Sequence, residues 1–225
     1  MTRPQPSASG TPGPQVLLLD NRDSFVYNLL DEFASAGMTT EVYRNNVPAP
    51  QLLARLSELQ AQPGGVLLVL SPGPGHPQDA GELSPLLRAA LGRFPVLGIC
   101  LGFQALLEVC GNPVGRVGAV HGEAQPLTLT AEGTGHPLFA GLGTVSVARY
   151  HSLGTRAVPP DLCSLAEIDG ICMAAEHRQV PALGFQFHPE SILTPRGREL
   201  LLRAAEYLVQ PSASQPSSHP QEASQ

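Results

Sequence analysis

The stretch Val96-Leu97-Gly98-Ile99-Cys100-Leu101-Gly102 passes without a break from an apolar run into a helical pattern, Leu101 to Cys110, that stops at Gly111. An apolar run without alternation belongs to a strand covered on both faces, and a strand that turns directly into a helix belongs to a parallel α/β sheet. At the turn a cysteine stands between two glycines, the layout of a nucleophile elbow with sulfur in place of the serine oxygen. The glycines have a physical reason. An elbow holds its nucleophile in a tight, strained conformation, and a side chain at position 98 or 102 is expected to collide with the neighbouring strand or helix. Residue 100 also opens a helix, whose unpaired N–H groups and positive dipole end favour a thiolate. Cys110, Cys163 and Cys172 lack such flanks and read as small core residues.

Upstream of the elbow, strands and helices alternate. Val16 to Leu19 is an apolar run, and Ser24 to Ala36 sets Phe25, Leu29, Leu30 and Phe33 on one helical face before Gly37. A strand near Glu41 to Arg44, a helix from Pro50 to Leu59 and the unbroken run Val66 to Leu70 follow. Ser84-Pro85 has the form of an N-cap with proline at the first helical position, and Gly92 closes that helix. Downstream the texture shifts to short β-like segments near Val114 to Val117, Leu127 to Thr130, Thr144 to Tyr150, Ile171 to Ala175 and Ala182 to Phe187. Thr194-Pro195 then opens a last helix through Leu200, Leu201, Ala204 and Leu208. The sum predicts a doubly wound, mostly parallel α/β sheet with helices on both faces and an antiparallel section in its second half. Residues 1–14 and 210–225, rich in Pro, Ser, Gly and Gln, are expected to be disordered tails around one domain at 15–209.

Composition narrows the function. The 225 residues carry a formal net charge of -6, so no broad cationic surface waits for nucleic-acid phosphates or anionic lipid. No apolar run approaches the roughly 20 residues of a membrane span, and Met1 to Pro14 has no signal-peptide pattern, which points to the cytoplasm. The cysteines show no CxxC pair and no metal-ligand spacing.

A cysteine that attacks an amide needs a proton acceptor, because a free thiol is scarcely ionised at neutral pH and the leaving amine must gain a proton. Of seven histidines, His219 lies in the C-terminal tail, His76, His121 and His136 sit beside Gly or Pro, and His177 lies in a polar turn. His151 and His188 remain, and His188 is the first choice because it follows the apolar run Leu183 to Phe187 at the end of a strand. Glu190 is two residues on, across Pro189, which keeps the segment extended so that the carboxylate reaches the imidazole. Its role would be to fix the tautomer and stabilise the imidazolium.

Ser71-Pro72-Gly73-Pro74-Gly75 directly follows the buried strand Val66 to Leu70. At the carboxyl end of a central strand it lies beside the elbow, where a glycine N–H joins that of Leu101 to bind a tetrahedral oxyanion. Gln104, one helical turn beyond Cys100, either donates to a substrate carboxylate or caps a core edge.

Together these residues resemble the class I (triad) glutamine amidotransferases, and within them the small subunits of anthranilate synthase and of aminodeoxychorismate synthase. The likeness runs from Val16 to Leu208 and rests on Asp20-Asn21-Arg22-Asp23-Ser24-Phe25, the Ser71 to Gly75 loop, the elbow with Gln104, Arg149-Tyr150-His151-Ser152-Leu153, and Gly184-Phe185-Gln186-Phe187-His188-Pro189-Glu190-Ser191. The resemblance implies a triad of Cys100, His188 and Glu190. It also implies glutamine contacts at Gly73, Pro74, Gly75, Leu101 and Gln104 and at the backbone of Ser152 and Leu153. Without it, His151-Ser152 reads as a surface turn.

It implies further that glutamine is hydrolysed through a γ-glutamyl thioester and that the ammonia passes to a separate, larger synthase subunit that aminates chorismate. Of the two pathways, anthranilate is favoured on the look of Val147 to Leu153 and Gly184 to Phe187, with aminodeoxychorismate or dual use as the alternative. No cofactor and no metal is implied for this chain; any magnesium requirement lies with the partner. One departure stands out: after Val120-His121-Gly122 many relatives carry Lys or Arg, whereas this chain has Glu123, which reverses the charge of a possible partner contact. A stand-alone γ-glutamyl hydrolase competes with this reading and is disfavoured by Ser152-Leu153 and the Ser71 to Gly75 loop. A catalytically silent regulatory subunit is disfavoured by the complete triad.

Overall fold

The computed structural model describes residues 13–120 and 122–210. Its first half holds β1 (Gln15–Asp20), α1 (Val26–Ser35), β2 (Thr40–Arg44), α2 (Ala49–Gln60), β3 (Val66–Leu70), α3 (Leu83–Ala90), β4 (Val96–Ile99) and α4 (Leu101–Val109). The second half holds β5 (Gly115–Arg116), β6 (Glu123–Pro126), β7 (Thr128–Leu129), α5 (Ala131–Gly135), β8 (Ser146–Arg149), β9 (Leu153–Gly154), β10 (Leu162–Ile168), β11 (Ile171–His177), β12 (Ala182–Phe185) and α6 (Gly197–Val209). Eight strands form one sheet in the order β2-β1-β3-β4-β12-β11-β10-β7. Pairing is parallel from β2 to β12 and antiparallel from β12 to β7, as the sequence predicts. Two antiparallel ribbons, β5 with β9 and β6 with β8, stand apart from it.

The unalternating strands have a direct cause. Val16 and Leu18 of β1, Leu67 and Val69 of β3 and Leu97 and Ile99 of β4 pack with α1 and α6 on one face. Leu17, Leu19, Leu68, Leu70 and Val96 pack with α2, α3 and α4 on the other. Both faces are therefore core. Each buried Leu or Val contributes roughly 1.5–3 kcal/mol, so neither face tolerates the polar residues that alternation would place there.

Three local expectations are corrected. Ser84 is not the cap of α3, which begins at Leu83 after Glu82. The Glu82 carboxylate instead accepts the backbone N–H of Ala49 at 3.1 Å, at the start of α2. Thr194 does not open α6, which begins at Gly197 after Arg196; its side chain is spent on the segment carrying His188. β10, whose Cys, Ser and Ala residues give a weak strand pattern, is a long strand of the sheet with register shifts between Ser164 and Glu167. The signal that marks it is Asp169-Gly170, both at positive φ (52° and 71°), the hairpin turn joining it to β11. The tails expected at 1–14 and 210–225 lie outside the described residues, apart from Gly13, Pro14 and Gln210. Among the described residues no helix is long and apolar enough to cross a membrane.

Candidate active site

At the carboxyl end of β4 the chain turns through Cys100 with φ 50° and ψ -99°, a conformation that L-residues adopt only under constraint. The constraint is visible. Cys100 N–H donates to the Phe185 carbonyl of β12 at 2.7 Å, and its own carbonyl accepts the N–H of Gln104 at 2.9 Å. A Cβ on Gly98 would lie 2.7 Å from the Gly102 carbonyl, and one on Gly102 would run into the Leu70 backbone at the end of β3. The flanking glycines thus let strand, elbow and helix approach. Gly184 belongs with them: its Cβ would strike the Phe103 ring, a requirement that the sequence reading missed.

His188 is brought to this elbow by β12. Its Nδ1 lies 2.7 Å from Glu190 Oε1, and Cys100 stands near enough to act on the protonation of the imidazole. Both side chains are buried, Glu190 completely. Burial works to lower the His188 pKa, but the hydrogen bonds and negative charges of Cys100 and Glu190 outweigh it and raise it to about 10. Glu190 Oε2 has no hydrogen-bond partner. Such a carboxylate is costly to bury, and a positive imidazolium beside it offsets that cost. The ring meets Phe25 and Tyr150 edge-on, with centroids at 5.6 and 5.3 Å. Its segment is fastened by His188 N–H to the Ala148 carbonyl at 3.2 Å. Thr194 Oγ1 donates to the His188 carbonyl at 2.7 Å and accepts Ala148 N–H at 2.9 Å. Gly197 lets α6 begin against the Pro189 backbone, where a Cβ would clash. Thr194 and Gly197 as supports have no local sequence signature.

The Ser71 to Gly75 loop is tied to the turn after β1. Asn21 N–H donates to Ser71 Oγ at 2.9 Å, and Asn21 Nδ2 to the Ser71 carbonyl at 2.9 Å. A Cβ on Gly73 would stand 2.7 Å from both Asn21 Cβ and Leu101 Cδ2, so the glycine sits directly against the elbow. Gly75, at φ 81°, turns the chain away. Gln104 is buried, and its Nε2 donates to the Leu153 carbonyl at 3.0 Å and to Gln186 Oε1 at 3.2 Å. Gln186 Nε2 in turn approaches Cys100 Sγ at 3.7 Å. Leu153 is therefore gathered to the helix that Cys100 opens, and Ser152 precedes it with its carbonyl on Val117 N–H at 3.0 Å. Among the described residues no group of three His, Cys, Asp or Glu side chains stands close enough to hold a metal ion.

His151, the other histidine weighed as a base, is buried and turned to other partners: Nδ1 lies 2.9 Å from the Leu153 carbonyl, and Nε2 accepts Arg149 Nε–H at 3.2 Å. Burial lowers its pKa from 6.5 to about 4, with the Leu153 bond opposing and the Arg149 and His188 charges assisting. A folded pKa below the unfolded value gives stability that is complete above pH 6.5 and lost as pH falls toward 4, worth about 3 kcal/mol when fully lost. Urea unfolding between pH 7 and 4.5 should show a loss beginning near pH 6.5, and His151→Gln should delay it until carboxylates protonate. An unchanged acid limb in the variant counts against this assignment.

Comparison with known proteins comes down on one family. The family model for glutamine amidotransferase class-I matches residues 17–206. Anthranilate synthase component 2 of Corynebacterium glutamicum is 45% identical over 211 residues, covering 86% of this chain and 98% of that protein. The pyocyanine-specific anthranilate synthase component 2 of Pseudomonas aeruginosa is 46% identical, covering 84% and 92%. Among solved structures, a glutamine amido transferase from Methylobacillus flagellatus superimposes with a TM-score of 0.61 at 16% identity, over 88% of this chain and 93% of that one, a likeness of fold.

Proposed function

The chain belongs to the class I glutamine amidotransferases, and on that premise we propose that it hydrolyses glutamine and delivers ammonia to a separate chorismate-aminating synthase subunit, for anthranilate synthesis. The observation that carries the reading is the burial of Cys100, His188 and Glu190 together, with His188 paired to Glu190 and Cys100 on a strained elbow. Cys100 sulfur, its proton already held by His188, attacks the γ-carbonyl carbon; the tetrahedral intermediate collapses as His188 gives that proton to the leaving nitrogen, releasing ammonia. Water, deprotonated by His188, then cleaves the γ-glutamyl thioester to glutamate and restores the thiol. Glu190 holds the tautomer and balances the imidazolium. The Leu101 N–H and the Gly73 peptide take the oxyanion, and Pro74, Gly75, Gln104, Ser152 and Leu153 complete the glutamine seat.

The anthranilate pathway is supported by the names of the relatives just given; aminodeoxychorismate synthesis is the alternative. Residues 15–209 form the catalytic domain in this reading, and four free cysteines suit a cytoplasmic protein. Glu123, exposed on β6, would put a negative charge at any partner contact there, which would select among synthase surfaces.

A free glutaminase would waste glutamine, so the isolated chain should be a poor one. The oxyanion donor depends on a Gly73 peptide in a loop whose glycines permit more than one orientation, and one such donor is worth about a hundred- to a thousandfold in rate. Docking should restore it, the partner binding the competent loop better by roughly 3–4 kcal/mol. The test is glutaminase turnover with and without the purified large subunit, at saturating glutamine with chorismate present, the aminated product identifying the pathway. Turnover that the partner leaves unchanged rules out gating, and aminodeoxychorismate as the sole product reassigns the pathway.

A further inference from the structure

The mechanism above leaves a buried, titratable pair unused: Arg149 and His151, 3% and 4% exposed. Arginine can only donate hydrogen bonds, so Arg149 Nε–H, 3.2 Å from His151 Nε2, requires that nitrogen to be an acceptor. The neutral ring then carries its one proton on Nδ1, which donates to the Leu153 carbonyl at 2.9 Å. The same carbonyl receives Gln104 Nε2, so both of its lone pairs are taken. Arg149 is itself anchored across the β6–β8 ribbon by Nη1 donating to Gln125 Oε1 at 2.6 Å. The charged and titratable groups around the pair are His188 facing His151, and Glu123 and Asp169 acting on Arg149.

We propose that His151, held by Arg149 as its Nδ1–H tautomer, is a positioning residue that fixes the Leu153 carbonyl and so preforms the Ser152–Leu153 turn for the amino-acid end of glutamine. The inference rests on the reading of that turn as part of the glutamine seat. The role is one of binding, because His151 orients the seat while sulfur chemistry depends on His188. A ring with its proton on Nε2 would set two donors against each other at Arg149 and leave the carbonyl to Gln104 alone; burial keeps the ring neutral and the arginine selects the tautomer.

Two substitutions separate the two ring nitrogens. His151→Asn places an amide N–H near the Nδ1 position and keeps the donor to Leu153, whereas His151→Gln reaches the Nε2 position and keeps the Arg149 contact alone. The full-length chain would be treated with the diazoketone analogue of glutamine, and labelling of Cys100 followed by intact mass to give a half-saturating concentration and a limiting rate. His151→Gln is expected to raise the half-saturating concentration roughly tenfold or more with the limiting rate within about threefold, and His151→Asn to restore most of the affinity. Alkylation of Cys100 by iodoacetamide, which has no amino-acid end, should be alike in all three proteins. Wild-type labelling that never saturates would mean that the glutamine-seat reading itself has failed. Saturation in wild type with His151→Gln unchanged, or with both variants equally weakened, overturns the positioning role alone. Should His151→Gln not fold, 15N spectra of the wild-type histidine rings, with His151 assigned by its loss in His151→Asn, decide the matter: a protonated Nδ1 supports the proposal, and a protonated Nε2 overturns it.

Discussion

Replacing Cys100 by alanine should abolish glutamine-dependent synthesis by the complex with the large subunit while leaving synthesis from added ammonia at full rate. The expectation follows from the proposed division of labour. The partner's chemistry needs only the amine, and the only step that needs sulfur is the attack on the γ-amide. The fold should survive. The elbow is held by the Cys100 N–H bond to Phe185 and by the close packing of Gly98 and Gly102, none of which involves the side chain. Alanine meets the positive φ of 50° at much the same steric cost as cysteine. The measurement is product formation with glutamine and, separately, with an ammonium salt at a pH where free ammonia is present. Glutamine-dependent turnover surviving in the variant would remove the thiol from the mechanism. A parallel loss of the ammonia-dependent rate would show instead that the substitution disrupts the complex.

Most of the parallel half could be read from the chain because its signals are local. An unbroken run such as Val66 to Leu70 reports burial on both faces wherever it sits, and Gly98 and Gly102 report a close approach even before the neighbour is known. What escaped was non-local. Gly184 is required by an aromatic ring 81 residues earlier in sequence (184 minus 103), and nothing around it says so. Thr194-Pro195 looks like a helix start because threonine is a good N-cap; the hydroxyl went to Ala148 and His188, a tertiary demand that overrides a local preference. The role of His151 escaped for a related reason. The sequence offers it as a possible base or as part of a surface turn, and only the folded chain shows that it is buried against an arginine and a carbonyl.

Removing the imidazole of His188 should lower glutaminase turnover by about three to four orders of magnitude, and removing the Glu190 carboxylate by clearly less. The geometry explains the inequality. In the proposed mechanism His188 alone exchanges a proton with sulfur and leaving nitrogen, so alanine there deletes both transfers. Glu190 supplies orientation and charge balance, and orientation has other sources: Phe25 and Tyr150 edge-on to the ring, and Thr194 on the His188 carbonyl. What no neighbour replaces is the negative charge. Glu190→Gln preserves size while removing it, so the imidazole, now raised chiefly by Cys100, should titrate below its wild-type value and the pH profile of Cys100 alkylation should shift with it. Glu190→Ala adds a cavity under the ring and should cost more than Glu190→Gln, yet less than His188→Ala. Turnover of the three variants in complex with the large subunit, at saturating glutamine, gives the ranking. Small and equal losses at both positions would place the working proton acceptor elsewhere, and a Glu190→Gln profile that does not move would mean that the carboxylate's charge has no part in holding the imidazolium.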